Sequence, residues 1–357
     1  MTTVHYITHL LATTLHGGAE IQMISTMRKI NELNGRYQVS LFDPWKDKIG
    51  DTDIVHVFNP RAFPVESLKI ATLAKEKGVK LVFSPIFYHV DRIEPDSDLS
   101  SRLIEKFSGS MRKLLWHPPF STVDPYGNLA QAFDKADLLL PTTETERIQL
   151  EYFFRLPKGK CFTVPNGVDS LYATGDPDLF RKKYGLDQYI LFVGRIEPQK
   201  NVLRLIQAFK TRDFHSKLVI VGSEPDKEYA AMCREEANDK VLFLPPIPHD
   251  SDMLRSAFVG AKTFALPSYY EMPGLTALEA GLSGVNLVIS KNGGTKEYFD
   301  RYASYVDPED VSDIARGIKN ACARPRNEAL SERIRTKYTW DRVVELTLKA
   351  YSSLDQR

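Results

Sequence analysis

Cysteine is scarce in this chain of 357 residues: three in all, Cys161, Cys233 and Cys322, an odd number and far apart. That excludes a disulfide-stapled scaffold, and with no Cys-x-x-Cys pair and no clustered histidines no zinc site or other metal site is expected. Net charge is nearly absent too. Lysine and arginine number 47 against 46 aspartates and glutamates, which leaves +1, so no overall field recruits nucleic acid or another polyanion. The first residues lack a basic flank followed by an uninterrupted apolar run and read as a first strand rather than a secretion signal. No apolar run elsewhere approaches the roughly 20 residues that span a bilayer. The glycine-rich phosphate loop of ATPases is missing, as are internal repeats and low-complexity tracts. These absences leave the expectation of a cytoplasmic globular protein with reduced thiols, long enough for two domains with separate cores.

What the chain does have is a rhythm. Short β-branched or apolar runs are expected as strands at 3–9, 37–42, 53–58, 79–84, 137–140, 161–164, 189–193, 217–221, 241–244, 262–266 and 286–289. Between many of them lie segments of period 3.6, such as Ala19 to Ile30 and Val202 to Phe209. Alternating strand and helix predicts parallel sheets covered on both faces, an α/β fold. The rhythm breaks near Pro165-Asn166-Gly167-Val168-Asp169 and restarts at Tyr189, which places an interdomain linker there. Ligands of such sheets bind at the carboxyl ends of the strands, so a site drawing on two facing domains is expected.

The most informative stretch is Ser268-Tyr-Tyr-Glu271-Met272-Pro273-Gly274-Leu275-Thr276-Ala-Leu-Glu279, followed by an apolar strand and Asn292-Gly293-Gly294. Pro273 and Gly274 predict a helix start with free N–H groups, which is an anion site. Glu271 lies before that start and Glu279 about a turn and a half inside it, suited to a ligand with a phosphate in its middle and hydroxyls at both ends. Arg195 and Lys200 follow a strand and Gly194, two cations beside a helix start that match a diphosphate. Taken alone they read more readily as solvated surface charges. Gly17 and Gly18, in His16-Gly-Gly-Ala-Glu20, allow close backbone approach at another helix start, or serve simply as a tight connection. They do not form the dinucleotide fingerprint, whose third glycine is missing. The Asp-x-Asp triplets at 51/53, 96/98, 176/178 and 250/252 lie in polar loops and read as turn or cap residues.

In this order the segments resemble the retaining nucleotide-sugar glycosyltransferases of glycosyltransferase family 4, whose fold is GT-B. The resemblance is carried by His16 to Glu20, Asp53-Ile-Val-His56, Val164-Pro-Asn166-Gly-Val-Asp169, Val193-Gly194-Arg195 with Lys200-Asn201, Glu271 to Glu279, and Gly293-Gly-Thr-Lys-Glu297. The Tyr-Glu-x-Pro-Gly-Leu loop is similar to that of enzymes building bacterial surface polysaccharides. The resemblance implies two facing Rossmann-like domains: 1–170 on the acceptor side, with Gly17 and Gly18 near phosphates and acceptor, and 171–338 on the donor side. A final helix, 339–357, would cross back to the first domain. It implies further that Arg195 and Lys200 grip the donor diphosphate, that the N–H groups of Gly274, Leu275 and Thr276 hold its distal phosphate, that Glu271 contacts the sugar and that Glu279 contacts the ribose. Asn166, Gly194, Met272 and Pro273 complete that donor site. The implied reaction retains anomeric configuration and needs neither metal nor cofactor beyond the nucleotide-diphosphate sugar itself. Many relatives place a histidine after the strand corresponding to Lys80 to Ser84; here His89 takes that role, or the role is absent. The acceptor would be a saccharide or a lipid-linked glycan. The segment 101–116 interleaves Arg102, Lys106, Arg112 and Lys113 with apolar residues, so it either lies peripherally on the inner face of a membrane or packs as an ordinary amphipathic helix. Two other readings stay open, a nucleotide-sugar-binding protein without transferase activity and a sugar-nucleotide epimerase of the same fold.

Overall fold

The computed structural model describes residues 1–10, 12, 17–33, 35–88 and 125–356. Expectations that fell on His16, His89, the Asp96/Asp98 pair and the 101–116 segment therefore lie outside the described residues.

The chain divides into two compact units: Met1–Thr142 with Glu146–Thr163 and Ala350–Arg357, and Thr143–Thr145 with Val164–Lys349. The first holds the strands β1 (Thr2–Ile7), β2 (Tyr37–Leu41), β3 (Ile54–Phe58), β4 (Lys80–Ser84) and β5 (Leu138–Leu139), in the order β2-β1-β3-β4-β5. The second holds β6 (Tyr189–Val193), β7 (Lys217–Val221), β8 (Val241–Leu244), β9 (Thr263–Leu266), β10 (Asn286–Ser290) and β11 (Ser304–Val306), in the order β11-β10-β9-β6-β7-β8. Every pairing in both sheets is parallel. Both are doubly wound orders, the second that of a dinucleotide-binding Rossmann sheet.

The central strands are buried along their whole length and mostly apolar, as expected of a parallel sheet covered by helices on both faces. All of β3 and β10 is buried, so alternation of polar and apolar residues would have been the wrong signal. Each unit has its own core. One gathers Val55, Leu81, Phe83 and Phe133; the other gathers Leu191, Phe192, Phe258 and Phe264.

The strand expected at 161–164 is absent. Cys161 makes a single bridge to Leu139, because β5 is only two residues long and offers nothing further to pair with. Strand β11, three residues, carries too short a pattern to be read from sequence. The helix expected to start at Pro273-Gly274 runs Leu275–Leu282, with Gly274 as N-cap at φ +85°. A Cβ at Gly274 would meet Leu266 at 3.0 Å and Glu271 Oε2 at 3.1 Å, so the turn itself, rather than the proline ring, sets the start.

Candidate active site

In the second sheet the strand order reverses between β6 and β9, and ligands of open α/β sheets bind outside the carboxyl ends of the strands at such a point. The loop after β6 carries Gly194, Arg195 and Lys200, and the loop after β9 carries Glu271 to Gly274. The two loops are joined through their backbones. Tyr269 N–H donates to Gln199 O at 3.0 Å, and the Gln199 amide donates back to Tyr270 O. Asn201, in the left-handed region at φ 58° and buried, donates to Pro267 O at 2.9 Å and Pro308 O at 2.7 Å. Asparagine tolerates that backbone better than most side chains. The position of Lys200 is thus inherited from its neighbours.

Lys200 Nζ stands 2.6 Å from Glu271 Oε1, which also accepts from Ser268 Oγ at 2.7 Å. The Glu271 side chain is 6% exposed and that of Lys200 19%. A buried carboxylate held by a cation and a hydroxyl is satisfied without being sealed off, which suits a group that exchanges partners when a ligand arrives. Arg195 differs: its side chain is 58% exposed and pairs with Glu197 at 3.0 Å, so it is a surface cation rather than a second buried one.

The acidic loop is clamped from its far side by Asn292-Gly293-Gly294. Gly293 bridges Glu271 in parallel, Gly294 N–H donates to Glu271 O at 3.0 Å and Asn292 donates to Tyr269 O at 3.0 Å. Gly293 has φ +94°, and a Cβ there would stand 2.1 Å from Glu271 O, so the approach admits only glycine. Beyond the clamp, helix Leu275–Leu282 begins with no side chain capping its first turn, which leaves its N–H groups and its positive end available to an anion. Asn166 lies alongside. Its N–H donates to the Tyr298 hydroxyl at 2.8 Å, its Nδ2 is 3.5 Å from Met272 O, and its Oδ1 is buried without a partner.

Glu279 is almost fully buried. Its Oε1 pairs with His249 Nε2 at 2.7 Å, while Oε2 is buried with no partner. His249 sits in the loop after β8, at the same sheet edge, and its backbone carbonyl accepts from the Tyr172 hydroxyl at 2.6 Å. Burial pulls the His249 pKa down, but the hydrogen bond and charge of Glu279, together with the charges of Asp250 and Asp169, outweigh it and the net shift is upward. Sequence reasoning missed His249. The signal that could have found it is its place in a loop leaving the carboxyl end of a strand of the same sheet.

Gly17 and Gly18 belong to the first unit, at the start of helix Gly18–Glu32. Gly17 N–H donates to Glu20 Oε2 at 2.8 Å, and Glu20 Oε1 pairs with His9 Nε2 at 2.9 Å. The Gly17 backbone is extended; what favours glycine is that a Cβ would stand 2.9 Å from Glu20 Oε2. Among the described residues no group of three or more His, Cys, Asp or Glu side chains could hold a metal ion, and Asp176 accepts from Asp178 N–H as a helix cap.

This arrangement places a cation and two buried carboxylates around an uncapped helix start at the switch point of a Rossmann-like α/β domain, a geometry that suits an anion. Residues 178–337, within the second unit, match the family Glycosyl transferases group 1. The chain is 30% identical over 237 residues to the D-inositol 3-phosphate glycosyltransferase of Mycolicibacterium smegmatis, covering 62% of this chain and 54% of the relative. It is 26% identical over 247 residues to the O-antigen chain mannosyltransferase B of Escherichia coli, covering 64% and 63%. The chain thus spans less than two thirds of the length of these relatives. Among solved structures, Anabaena HepE in complex with UDP-glucose superposes with a TM-score of 0.73 at 16% identity, over 99% of this chain and all of that one. At that identity the likeness shows the fold, which is GT-B: two Rossmann-like units, each with a parallel sheet.

Proposed function

We propose that this protein is a retaining glycosyltransferase that moves a sugar from a nucleotide-diphosphate sugar to a saccharide or lipid-linked acceptor, without a metal ion or other cofactor. The observation that carries the reading is the Lys200 to Glu271 pair beside the uncapped start of helix Leu275–Leu282. When the bond from the anomeric carbon to the diphosphate breaks, charge develops on the leaving phosphate. Lys200, Arg195 and the helix N–H groups supply positive potential where that charge appears, and in many enzymes such stabilisation accelerates the reaction more than any other single effect. Glu271 exchanges its cation for sugar hydroxyls, Glu279 offers Oε2 to a ribose hydroxyl, and the departing phosphate takes the acceptor proton. The relatives named for D-inositol 3-phosphate and O-antigen chains support a glycoconjugate acceptor, as does the Tyr-Glu-x-Pro-Gly-Leu loop. Catalysis would take place in the cytoplasm.

A thermal-shift screen against UDP-, GDP- and dTDP-sugars tests the donor half, since a ligand that binds only the folded state raises the melting temperature by mass action. Retention is read by NMR of the product anomer, and metal independence by turnover in excess chelator. No shift with any nucleotide sugar would sink the reading. A shift without transfer to any acceptor would leave a binding protein instead, and interconversion of the donor sugar without transfer would indicate an epimerase.

A further inference from the structure

The opposite edge of the second sheet carries another concentration of positive charge. Tyr189, Thr263 and Asn286 begin β6, β9 and β10, and at those amino ends Arg181, Gln188, Lys262, Asn286, Arg324 and Arg326 line a cavity of about 240 Å³. The candidate active site lies at the carboxyl ends of these strands, and four or five residues at about 3.3 Å each keep the two edges more than roughly 10 Å apart. No aspartate or glutamate lines the cavity. None of its four cations forms an ion pair among the described residues.

Part of this cluster has a structural role. Arg181 donates to Gly260 O at 2.6 Å, and Arg326 donates to Val259 O and, at 3.1 Å, to Ser283 O. Both arginines therefore serve the carboxyl ends of helices Asp252–Gly260 and Leu275–Leu282, where a cation is favoured. That role leaves much unexplained. Arg181 Nε is buried with no partner, and an unsatisfied buried donor costs free energy that an acceptor would recover. Lys262 and Arg324 make no side-chain hydrogen bond among the described residues, although both face the same cavity. Burial and then the neighbouring charge of Arg181 hold the Arg326 pKa down: two guanidinium groups oppose each other with no anion between them.

We propose that this cavity is a second binding site, separate from the candidate active site, for a small anion bearing a phosphate group. Arginine forks match phosphate oxygens two at a time, and the dianion needs more than one cation. At about 30 Å³ per water the cavity holds the volume of roughly eight waters, room for a phosphate group with a small substituent. Gln188 adds an amide group for its remaining oxygens, whereas the Asn286 amide is already donated to Pro325 O at 2.7 Å. The phosphate could be carried by a free metabolite or by a lipid headgroup, and the recognising chemistry is the same.

The test is calorimetric titration of the full chain with inorganic phosphate and with glycerol 3-phosphate, on wild type, the double variant Lys262→Glu/Arg324→Glu, and Lys200→Ala. The double variant spares both arginines that bond helix carbonyls, so its circular dichroism and melting point without phosphate should match wild type. The expected result is saturable binding to wild type and Lys200→Ala, weakened at least about tenfold in the double variant, as loss of a charge partner usually brings. Flotation with phosphatidylglycerol vesicles, repeated with free phosphate as competitor, separates the sources. Vesicle binding displaced by phosphate identifies a headgroup; phosphate binding with no vesicle binding identifies a metabolite. No saturation of wild type up to about 10 mM phosphate, well above a millimolar Kd, overturns the proposal. So does binding that Lys200→Ala abolishes and the double variant keeps, which would assign the anion to the other edge.

Discussion

Two buried polar groups, one in each unit, have opposite fates. His56, in β3 of the first unit, is 1% exposed, with Nδ1 2.7 Å from the Tyr351 hydroxyl and Nε2 2.9 Å from Ser84 Oγ. Because Tyr351 gives its proton to Tyr6, Nδ1 donates to Tyr351 and Nε2 accepts from Ser84, and the network closes. Glu279 in the second unit is as deeply buried, yet one of its oxygens has no partner. A closed network serves the fold. An open buried oxygen costs stability by about 1–3 kcal/mol, and it makes sense where a ligand supplies the missing donor. His56 occurs in a stretch by which the sequence resembles its family, but its surroundings give it a structural task.

If that contrast is right, disturbing the open region should remove function and disturbing the closed one should remove stability. The largest expected effect is that of Lys200→Ala, which takes away the cation beside Glu271. Turnover should fall about 10²- to 10³-fold, the usual consequence of deleting one group that stabilises a developing charge, with weaker protection of the protein by nucleotide sugar. Steady-state kinetics that match wild type would show that Lys200 is only a partner for Glu271.

Next is Gly293→Ala, which bears on how the open region is held. Its Cβ would collide with Glu271 O at 2.1 Å on a backbone at φ +94°, so a loss of about 2 kcal/mol or more in denaturant unfolding is expected. The stabilisation by nucleotide sugar should fall with it, since the clamp carries Glu271. An alanine variant as stable as wild type would mean that the clamp yields and does not position the loop.

A smaller effect tests the closed region. Burial pushes the His56 pKa down to about 3 from an ordinary 6.5. The folded state keeps the ring neutral, so its contribution is complete above the unfolded value of 6.5 and is lost as pH falls from there toward 3. Unfolding free energy of wild type should therefore decline more steeply over that window than that of His56→Gln, by up to about 1.4 kcal/mol per pH unit, while donor binding at neutral pH stays the same in both. Parallel declines would place His56 outside the acid response.

Much of the candidate site's local structure was legible because its physics is local. Asn292-Gly293-Gly294 and Glu271-Met272-Pro273-Gly274 each announce a turn through residue type, and their mutual clamp needs only that β9 and β10 pair, as they do. The alternation of strand and helix likewise specified parallel sheets. What sequence could not reveal depends on distance along the chain. His249 meets Glu279 across 30 residues, and the cavity around Arg181 and Arg324 joins positions more than a hundred residues apart. Pro273 and Gly274 together marked the helix start, which falls one residue after Gly274, its N-cap.

The smallest effect, a titration, probes the contrast most directly. His249 faces Glu279, Asp250 and Asp169, with the Tyr172 ring tilted against it at 5.8 Å between centroids, and Arg255 lies among the charges acting on Tyr172. Burial alone lowers its pKa, and the Glu279 bond and the surrounding acids bring it above 6.5. The stability it contributes is then fully present below the unfolded value and is lost as pH rises through the raised one. In Glu279→Gln the burial remains while the strongest opposing interaction disappears, so the imidazole resonance followed by NMR should titrate lower than in wild type. An unchanged titration would mean that His249 answers to those two aspartates, and that Glu279 is free at both oxygens rather than fixed at one.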